Sequence, residues 1–496
     1  MKKVLVIGGG GREHAIVDAL SRSPQVDKIF CAPGNAGIAA QAECVAIKDT
    51  EVERLRDFAL ANNIDLTVVG PEVALAAGVV DVFKASGLKI FGPSKAAATI
   101  EASKDFAKRL MAKYNVPTAA YKTFSKYEEA LEYVRNGSFP VVLKYDGLAA
   151  GKGVVIPETF EEADETLKDM LLDSRFGEGQ VVVEEFLQGP EFSFMCFVSG
   201  EDVYPMELSQ DHKRAFEGDE GPNTGGMGAY SPLPFITAQD YEDAMEKVMK
   251  PVAAAMVKEG CPFTGVLYGG LMKTADGVKV IEFNCRFGDP ETEVVLPRLE
   301  SDIYDIFECI ADGRKINEIK WSSRVSMGFV MASKGYPGSY QKGFEIKGLD
   351  KLAAAGHDVH IYHMGTSVKY LPNAGVEGAE GVDGVEGVDD VDGVVGVDGV
   401  DGVKGVDGVD GVHGVFGVEG VDGVEDVEGV KGVDGVKGVA GAAGVHPVYY
   451  TNGGRVLMVV GYGADLQEAH DNALRAVEDI ECENLFYRRD IGWRVL

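Results

Sequence analysis

A chain of 496 residues with a formal net charge of −31 is too long for one core and divides into roughly three or four domains. The acidic balance excludes a nucleic-acid partner bound by neutralising phosphates, and no apolar run reaches the ~18 residues of a membrane span. Seven cysteines lie far apart without a CxxC, which indicates neither a zinc site nor a disulfide framework. The first apolar run breaks at once into glycines instead of continuing as a signal peptide, so a reduced, cytoplasmic setting is expected.

From the amino terminus, KKVLVIGGGG (2–11) reads as a buried parallel strand and a glycine turn, and Arg12–Ser21 as a helix. Short strands at Lys28–Cys31, Ile64–Val69 and Leu88–Phe91 alternate with helical stretches, which predicts a doubly wound parallel sheet. Its strands end in GGGGRE (8–13), APGNAG (32–37) and GPE (70–72). Open α/β sheets bind ligands at such carboxyl ends, where helix-start amides favour phosphate. Gly8-x-Gly10-x-x-Glu13 lacks the third glycine of a dinucleotide fingerprint, and no acidic residue closes the second strand at Cys31. A smaller phosphate ester fits better than NAD, with Arg12 adding charge to the cradle.

Ala96–Tyr114 reads as one helix. VVLKYDGLAAGKGVVI (141–156) reads as a hairpin with Lys144 ending an apolar strand and Lys152 between Gly151 and Gly153 at the tip. A cationic tip suits closure over a triphosphate, although GxxxxGK[ST] is absent and Gly-Lys-Gly alone is more often only a turn. QVVVEEFL (180–187) is a strand with an acidic end. It either presents backbone to a base and Glu191 to ribose hydroxyls or is capped by solvated glutamates. Residues 208–232 show no strand or helix period, and long irregular loops inside compact domains are generally functional. This one places Asp211, His212, Lys213 and Arg214 ahead of a glycine-rich turn.

A helix (Ala238–Lys258) and a strand (Gly265–Met272) lead to VKVIEFNCRFGDPE (278–291). At period two, Ile281, Phe283, Cys285 and Phe287 face a core, while Glu282, Asn284 and Arg286 face the other way. A carboxylate and an amide oxygen suit Mg²⁺, which shares its other positions with water and substrate phosphates. A guanidinium beside them holds an oxyanion bidentately. Alternation alone more commonly marks an edge strand with a solvated face.

From Arg324 onward, VSMGFVMASKGYPG, VHIYHMGT and GRVLMVVGYG precede an amphipathic helix and predict a small α+β domain. His360 and His363 are expected as strand residues rather than ligands. Residues 375–446 are 24 triplets of the form Gly-Val-x, with Asp390 and Asp426 replacing glycine. Seventeen acidic residues and three lysines give this tract a net −14, leaving −17 of the −31 for the rest. Glycine at every third position without proline argues against a triple helix. A disordered or loosely collapsed insert is expected, with a valine-stacking solenoid as the alternative.

Together GGGGREH, APGNAG, VVGPE, SKDFAK, LKYDGLAAGKGVV, QDHKRAFEGDEGPNTGGMGAYSP, IEFNCRFGDPET, SKGYPG, TNGGRVL and YRRDIG resemble the phosphoribosylamine–glycine ligase family. These are the glycinamide ribonucleotide synthetases of purine biosynthesis, in the ATP-grasp superfamily. The resemblance covers all but roughly residues 371–448. It implies an α/β and α+β multidomain chain: an amino-terminal substrate domain (1–102), an ATP-grasp core (103–323) with a mobile lid at about 120–190, and a carboxyl-terminal α+β domain (324–496) interrupted by the 375–446 insert. It also implies a cytoplasmic monomer or weak oligomer that joins glycine to 5-phosphoribosylamine, hydrolysing ATP to ADP and phosphate through glycyl phosphate with Mg²⁺ or Mn²⁺.

Residue by residue, the resemblance implies ATP contacts at Lys104, Lys144, Gly151, Lys152 and Gly153. The adenine hinge falls at Glu184, Glu185, Phe186 and Leu187, and the ribose contact at Glu191. Metal binding falls to Glu282 and Asn284, and catalytic roles to Arg286, Lys144 and Asp211. Substrate contacts fall to Gly10, Gly11, Arg12, Asn35, Gly37, Pro71 and Glu72, and to Asp211, Lys213, Asn223, Thr224, Gly225 and Arg286. The chain departs from the family pattern at Tyr145, where a small residue is usual, and at Glu293, where glutamine is usual. Both departures are expected near the phosphates. Two other readings stand beside this one. Another ATP-grasp ligase or carboxylase would share Glu282, Asn284 and the lid, and a carboxylase would require bicarbonate. An interaction protein carrying a decayed ligase body is opposed by intact Lys144, Lys152, Glu282, Asn284 and Arg286.

Overall fold

The computed structural model describes residues 1–147, 153–172, 179–355, 358–372, 382–386 and 445–496. Gly151 and Lys152 of the hairpin tip, and most of the triplet tract, lie outside the described residues. Across the amino-terminal sheet the strands run Glu43–Cys44, Val26–Pro33, Lys2–Gly8, Leu66–Val69 and Ile90–Phe91, all parallel. Parallel strands covered on both faces need continuous apolar runs. VLVI supplies one, with Val4 to Ile7 fully buried. The doubly wound expectation holds. Gly8 ends the central strand at φ +121°, and a Cβ there would come within 2.6 Å of the Glu13 side chain, so this turn requires glycine.

The helix expected over 96–114 is two helices, Lys95–Ala102 and Lys104–Tyr114. Ser103 between them is extended, and its Oγ accepts from Phe106 N at 3.1 Å. A serine that caps the second helix this way competes with continuing the first. The break sets Glu101 and Lys104 on either side of the same turn, facing the cleft.

The next sheet is antiparallel, ordered Asp202–Pro205, Glu191–Ser199, Thr264–Thr274, Gly277–Asn284. A separate antiparallel sheet joins Tyr121–Phe124, Val181–Glu185, Val141–Tyr145 and Val154–Val155. With helices Tyr127–Arg135 and Phe160–Leu171 it closes over its own core of Phe124, Leu143, Val183, Leu167 and Met170. Tyr145 belongs to that core, and a Cβ on Gly179 would meet its hydroxyl at 2.3 Å. This departure is therefore a packing element of the small sheet.

Residues 208–232, expected to lack regular structure, contain four short strands: Gln210–Asp211, Arg214–Phe216, Glu220–Asn223 and Gly228–Ser231. Strands of two to four residues are too brief to show a period. The first and last of them are anchored far away in the sequence, because Gly228–Ser231 pairs with Gln210–Asp211 on one side and with the buried strand Val325–Ser333 on the other, while the middle two form a separate hairpin. That strand also pairs with Arg455–Gly463, which pairs in turn with Val359–His363. His360 and His363 are accordingly strand residues.

Thr366–Pro372 pairs antiparallel with Val445–Thr451, from Thr366 opposite Thr451 to Pro372 opposite Val445. The triplet tract is thus spliced into the tip of a hairpin, where loop-closure entropy for some seventy added residues is on the order of 2 kcal/mol. The tract also contributes a strand, Val382–Glu386, on the other edge of Thr366–Pro372. Among the described residues no helix is long and apolar enough to cross a membrane, and all seven cysteines are free thiols.

Candidate active site

Strand Gly277–Asn284 places Glu282 opposite Gly270 and Asn284 opposite Tyr268. The register slips between Gly270 and Leu271, which inserts one extra residue as a bulge. Here the period-two expectation fails for one residue. Phe283, Cys285 and Phe287 are buried, but Ile281 turns out of the core and lines a small cleft with Glu191, Asp211, Lys213 and Tyr268.

Burial alone would raise the Glu282 carboxyl, yet Lys213, Lys144, Lys104 and Arg286 outweigh it and hold the group below the usual carboxylate range. Four cations thus converge on one carboxylate. Burial, reinforced by Lys144, depresses Lys104 despite Glu282, and its Nζ donates to Gly147 O at 2.9 Å. Asn284 Nδ2 donates to Glu101 Oε1 at 3.2 Å, which leaves its carbonyl oxygen as the available group. A carboxylate and an amide oxygen on one strand face, amid cations that balance polyphosphate, fit Mg²⁺ sharing its shell with phosphates.

Arg286 reaches the amino-terminal unit. Its Nε lies 3.3 Å from Glu72 Oε2 and its Nη2 3.1 Å from Glu101 Oε1. Glu101 Oε2 also accepts from Cys285 N at 2.7 Å. Against burial, Arg286 and Arg12 pull the Glu72 carboxyl down. Arg12 is buried, pairs with Glu13 Oε1 at 2.6 Å and donates to Phe287 O at 3.3 Å. Pro71 caps the helix that starts at Glu72, and Gly10 N donates to Glu13 Oε2 at 2.7 Å. Two guanidiniums and the Gly10–Gly11 turn therefore face one another across the junction. Asn35 is placed otherwise. Its amide donates to Gly9 O and His363 O and accepts from Gly37 N and Ile38 N, so its side chain is fully used in joining loops. Gly37 packs on His363, which a Cβ would approach to 2.4 Å.

Under the small antiparallel sheet, Lys144 Nζ donates to Ile281 O at 2.9 Å and stands 3.2 Å from Glu184 Oε1, a charge contact outside hydrogen-bond geometry. Glu184 Oε2 pairs with Lys108 Nζ at 2.8 Å. Burial presses the Lys108 ammonium down to about 8, against the pull of Glu184. Glu184 points inward to this buried triad, while Glu185 at the strand end and Phe186 beyond it are exposed, so Glu184 offers a nucleotide only its backbone. Leu187 is half-buried, and Glu191 Oε2 lies 3.7 Å from Lys213 Nζ.

In the 211–226 loop, burial raises the Asp211 carboxyl to about 7, with Lys213 opposing and Glu291 and Glu191 reinforcing. Asp211 in turn holds Lys213 well above its ordinary range. Thr224 N and Oγ1 both donate to Lys213 O at 2.7 and 2.8 Å, while Asn223 is exposed. Arg455 Nη1 donates to Gly225 O and Asp289 O, each at 3.0 Å, and ties the glycine turn to the Gly-Asp-Pro turn. Glu293 is fully buried beside Asp289 and Arg455, with neither oxygen hydrogen-bonded. Burial and Asp289 push it well above the carboxylate range.

Sequence reasoning missed Glu101, Lys108, Glu291, Asp289 and Arg455 as site residues. Ser193 Oγ and Tyr268 OH donate to Glu291 Oε1 at 2.9 and 2.8 Å. None of these had a local signal beyond its motif, because each partner is far away in the chain.

Residues 2–101, 102–292 and 425–494 match family models described as the N domain, the ATP-grasp (A) domain and the C domain of phosphoribosylglycinamide synthetase. Residues 391–447 match "Collagen triple helix repeat", a match carried by the glycine period. The chain is 52% identical over 370 residues to phosphoribosylamine–glycine ligase of Caldanaerobacter subterraneus, covering 74% of this chain and 88% of that protein. It is 42% identical over 500 residues to that of Pasteurella multocida, covering 99% and 98%. The crystal structure of phosphoribosylamine–glycine ligase from Thermotoga maritima superposes with a TM-score of 0.72 at 28% identity, covering 99% and 100%.

Proposed function

We infer, because this chain belongs to the phosphoribosylglycinamide synthetase family, that it joins glycine to 5-phosphoribosylamine at the expense of ATP, in the cytoplasm. The observation that carries the reading is the convergence of Lys104, Lys144, Lys213 and Arg286 on Glu282. Such a charge arrangement is built for polyphosphate and a developing acyl phosphate. Glu282 and Asn284 would hold Mg²⁺ (or Mn²⁺), which supplies charge neutralisation at the phosphates. Lys104 and Lys144 face the same phosphates, Glu191 faces the ribose, and the 184–187 backbone borders the adenine. Arg12, Glu72 and the Gly10–Gly11 amides form the phosphoribosyl cradle. Asp211 and Lys213 address the acceptor substrates, with Thr224 and Gly225 shaping the turn above them.

Glycine's carboxylate is a poor electrophile and must first be activated. Its oxygen attacks the γ-phosphorus of ATP and ADP leaves. The amine of phosphoribosylamine then attacks the carbonyl carbon, and phosphate departs with the former carboxylate oxygen. Water must be kept from the acyl phosphate, which the enclosing small sheet can do. With ¹⁸O-carboxyl glycine, label is expected in released phosphate, and its complete retention in amide and residual glycine would rule this route out. ADP formation that follows glycine and not bicarbonate separates a ligase from a carboxylase.

Asp211 sets a pH expectation. Between 3.8 and about 7 the folded chain holds a proton there that the unfolded chain has released. This group's contribution to stability therefore falls as pH rises through that window. The anion needed beside an ammonium substrate is populated only above it. kcat/KM for glycine is expected to rise through pH ~7, and Asp211→Asn to flatten the profile. A wild-type profile that is flat there would remove Asp211 from substrate binding.

A further inference from the structure

The YRRDIG motif near the carboxyl terminus is not used by the chemistry above, yet it contains Arg488, which is 1% exposed. Its Nε donates to Asp490 Oδ1 at 2.8 Å, its Nη1 to Arg214 O at 2.9 Å, and its Nη2 to Asp219 Oδ1 at 3.0 Å and Asp490 Oδ2 at 2.8 Å. Arg214 and Asp219 belong to the hairpin Arg214–Phe216/Glu220–Asn223, which among the described residues pairs with no other sheet and is largely exposed. An isolated two-stranded hairpin is marginal at best, so something else must hold it.

The carboxyl-terminal segment makes that contact along the hairpin's length. Asp490 Oδ2 accepts from Gly218 N at 2.8 Å, Glu217 Oε1 accepts from Arg489 N at 3.0 Å, and Arg494 pairs with Asp219. Just before the hairpin, alternation turns Asp211 and Lys213 toward the cleft and buries His212 on the opposite side. There its Nε2 accepts from Gly492 N at 3.2 Å. A ring nitrogen that accepts an N–H is unprotonated, in keeping with burial and the nearby Arg488 and Arg494 pressing this histidine down to about 3.

We propose that Arg488 is a positioning residue. By gripping the main chain at Arg214, one residue beyond Lys213, and the turn at Asp219, it holds the hairpin and so sets Lys213 and Asp211 against the acceptor substrates. The guanidinium fork serves three acceptor groups in fixed directions, which a lysine ammonium cannot reproduce. This inference rests on the ligase reading.

The test compares Arg488→Met and Arg488→Lys with wild type, measuring KM for glycine, phosphoribosylamine and ATP separately, with amide hydrogen exchange over 214–223. For Arg488→Met, the KM of glycine or phosphoribosylamine is expected to rise at least tenfold while that of ATP stays within twofold and the hairpin amides lose protection. Arg488→Lys should recover only part of this. If all three KM values move together, or hairpin protection is lost without any change in KM, the inference is overturned. Should Arg488→Met fail to fold, Asp490→Asn and Arg494→Met loosen the same grip from its rim. They are expected to shift the same constants in the same direction by smaller factors, and unchanged constants in both would overturn it. Wild type lacking glycine-dependent ADP formation would instead overturn the ligase reading, while the exchange measurement would still report the grip.

Discussion

Replacing Glu282 or Asn284 by alanine is expected to cut turnover by about a hundredfold or more while the chain remains folded. Glu282 is half-buried at the cleft among cations and is not part of the apolar core, so its truncation leaves that core intact. Glu282→Ala removes both the proposed metal ligand and the common counter-charge of Lys213, Lys144, Lys104 and Arg286. Asn284→Ala removes only a ligand, because the Glu101 oxygen that its Nδ2 meets is also met by Arg286 Nη2. The pair of variants therefore separates coordination from charge balance. If coordination dominates, both fall together and excess Mg²⁺ restores part of the loss. Near-wild-type turnover of either at saturating Mg²⁺ would remove the metal assignment. A large loss in Glu282→Ala alone would make the carboxylate a charge organiser.

The legible parts were those whose physics is local. VLVI and LTVV had to be buried parallel strands because both faces are apolar. Glu282, Asn284 and Arg286 could be put on one face because period two survives from Glu282 to Phe287. The illegible parts depend on partners far along the chain. Ile281 left the core because the bulge is a property of the pairing with Gly270 and Leu271, which one strand cannot announce. Glu101 serves Arg286 and Asn284 across more than 180 residues. It was hidden in an ordinary helix whose break at Ser103 also went unread. Inside 208–232, Gly228–Ser231 and its partner Gln210–Asp211 depend on Val325–Ser333, and the hairpin between them depends on the carboxyl-terminal segment. Tyr145 and Glu293 were both placed near the phosphates by motif position. Tyr145 instead fills the core of the small sheet, and Glu293 is buried against the Gly11 turn beside Asp289.

Glu184→Ala is expected to destabilise the chain by ~3–5 kcal/mol, the cost of breaking a buried ion pair by deleting one partner. Glu184, Lys108 and Lys144 are each less than 5% exposed. One carboxylate there balances two ammonium groups, at 2.8 Å from Lys108 and 3.2 Å from Lys144. Without it Lys108 and Lys144 are two buried ammonium groups that have lost their shared counter-charge. Lys108, already pressed down to about 8, can relieve the repulsion by releasing its proton. Lys144 must then do without its counter-ion while still donating to Ile281 O. The role proposed for Lys144 at the nucleotide phosphates depends on that placement, so ATP affinity is expected to fall along with stability. Glu185→Ala, at the next position but exposed and 3.4 Å from Lys279, is expected to stay within about 0.5 kcal/mol of wild type. Urea titration of both variants, with and without ATP, reads the difference. Equal midpoints would mean that the triad is not the anchor beneath the small sheet. A Glu184→Ala chain that loses stability yet binds ATP normally would show that Lys144 is held in place by Ile281 alone.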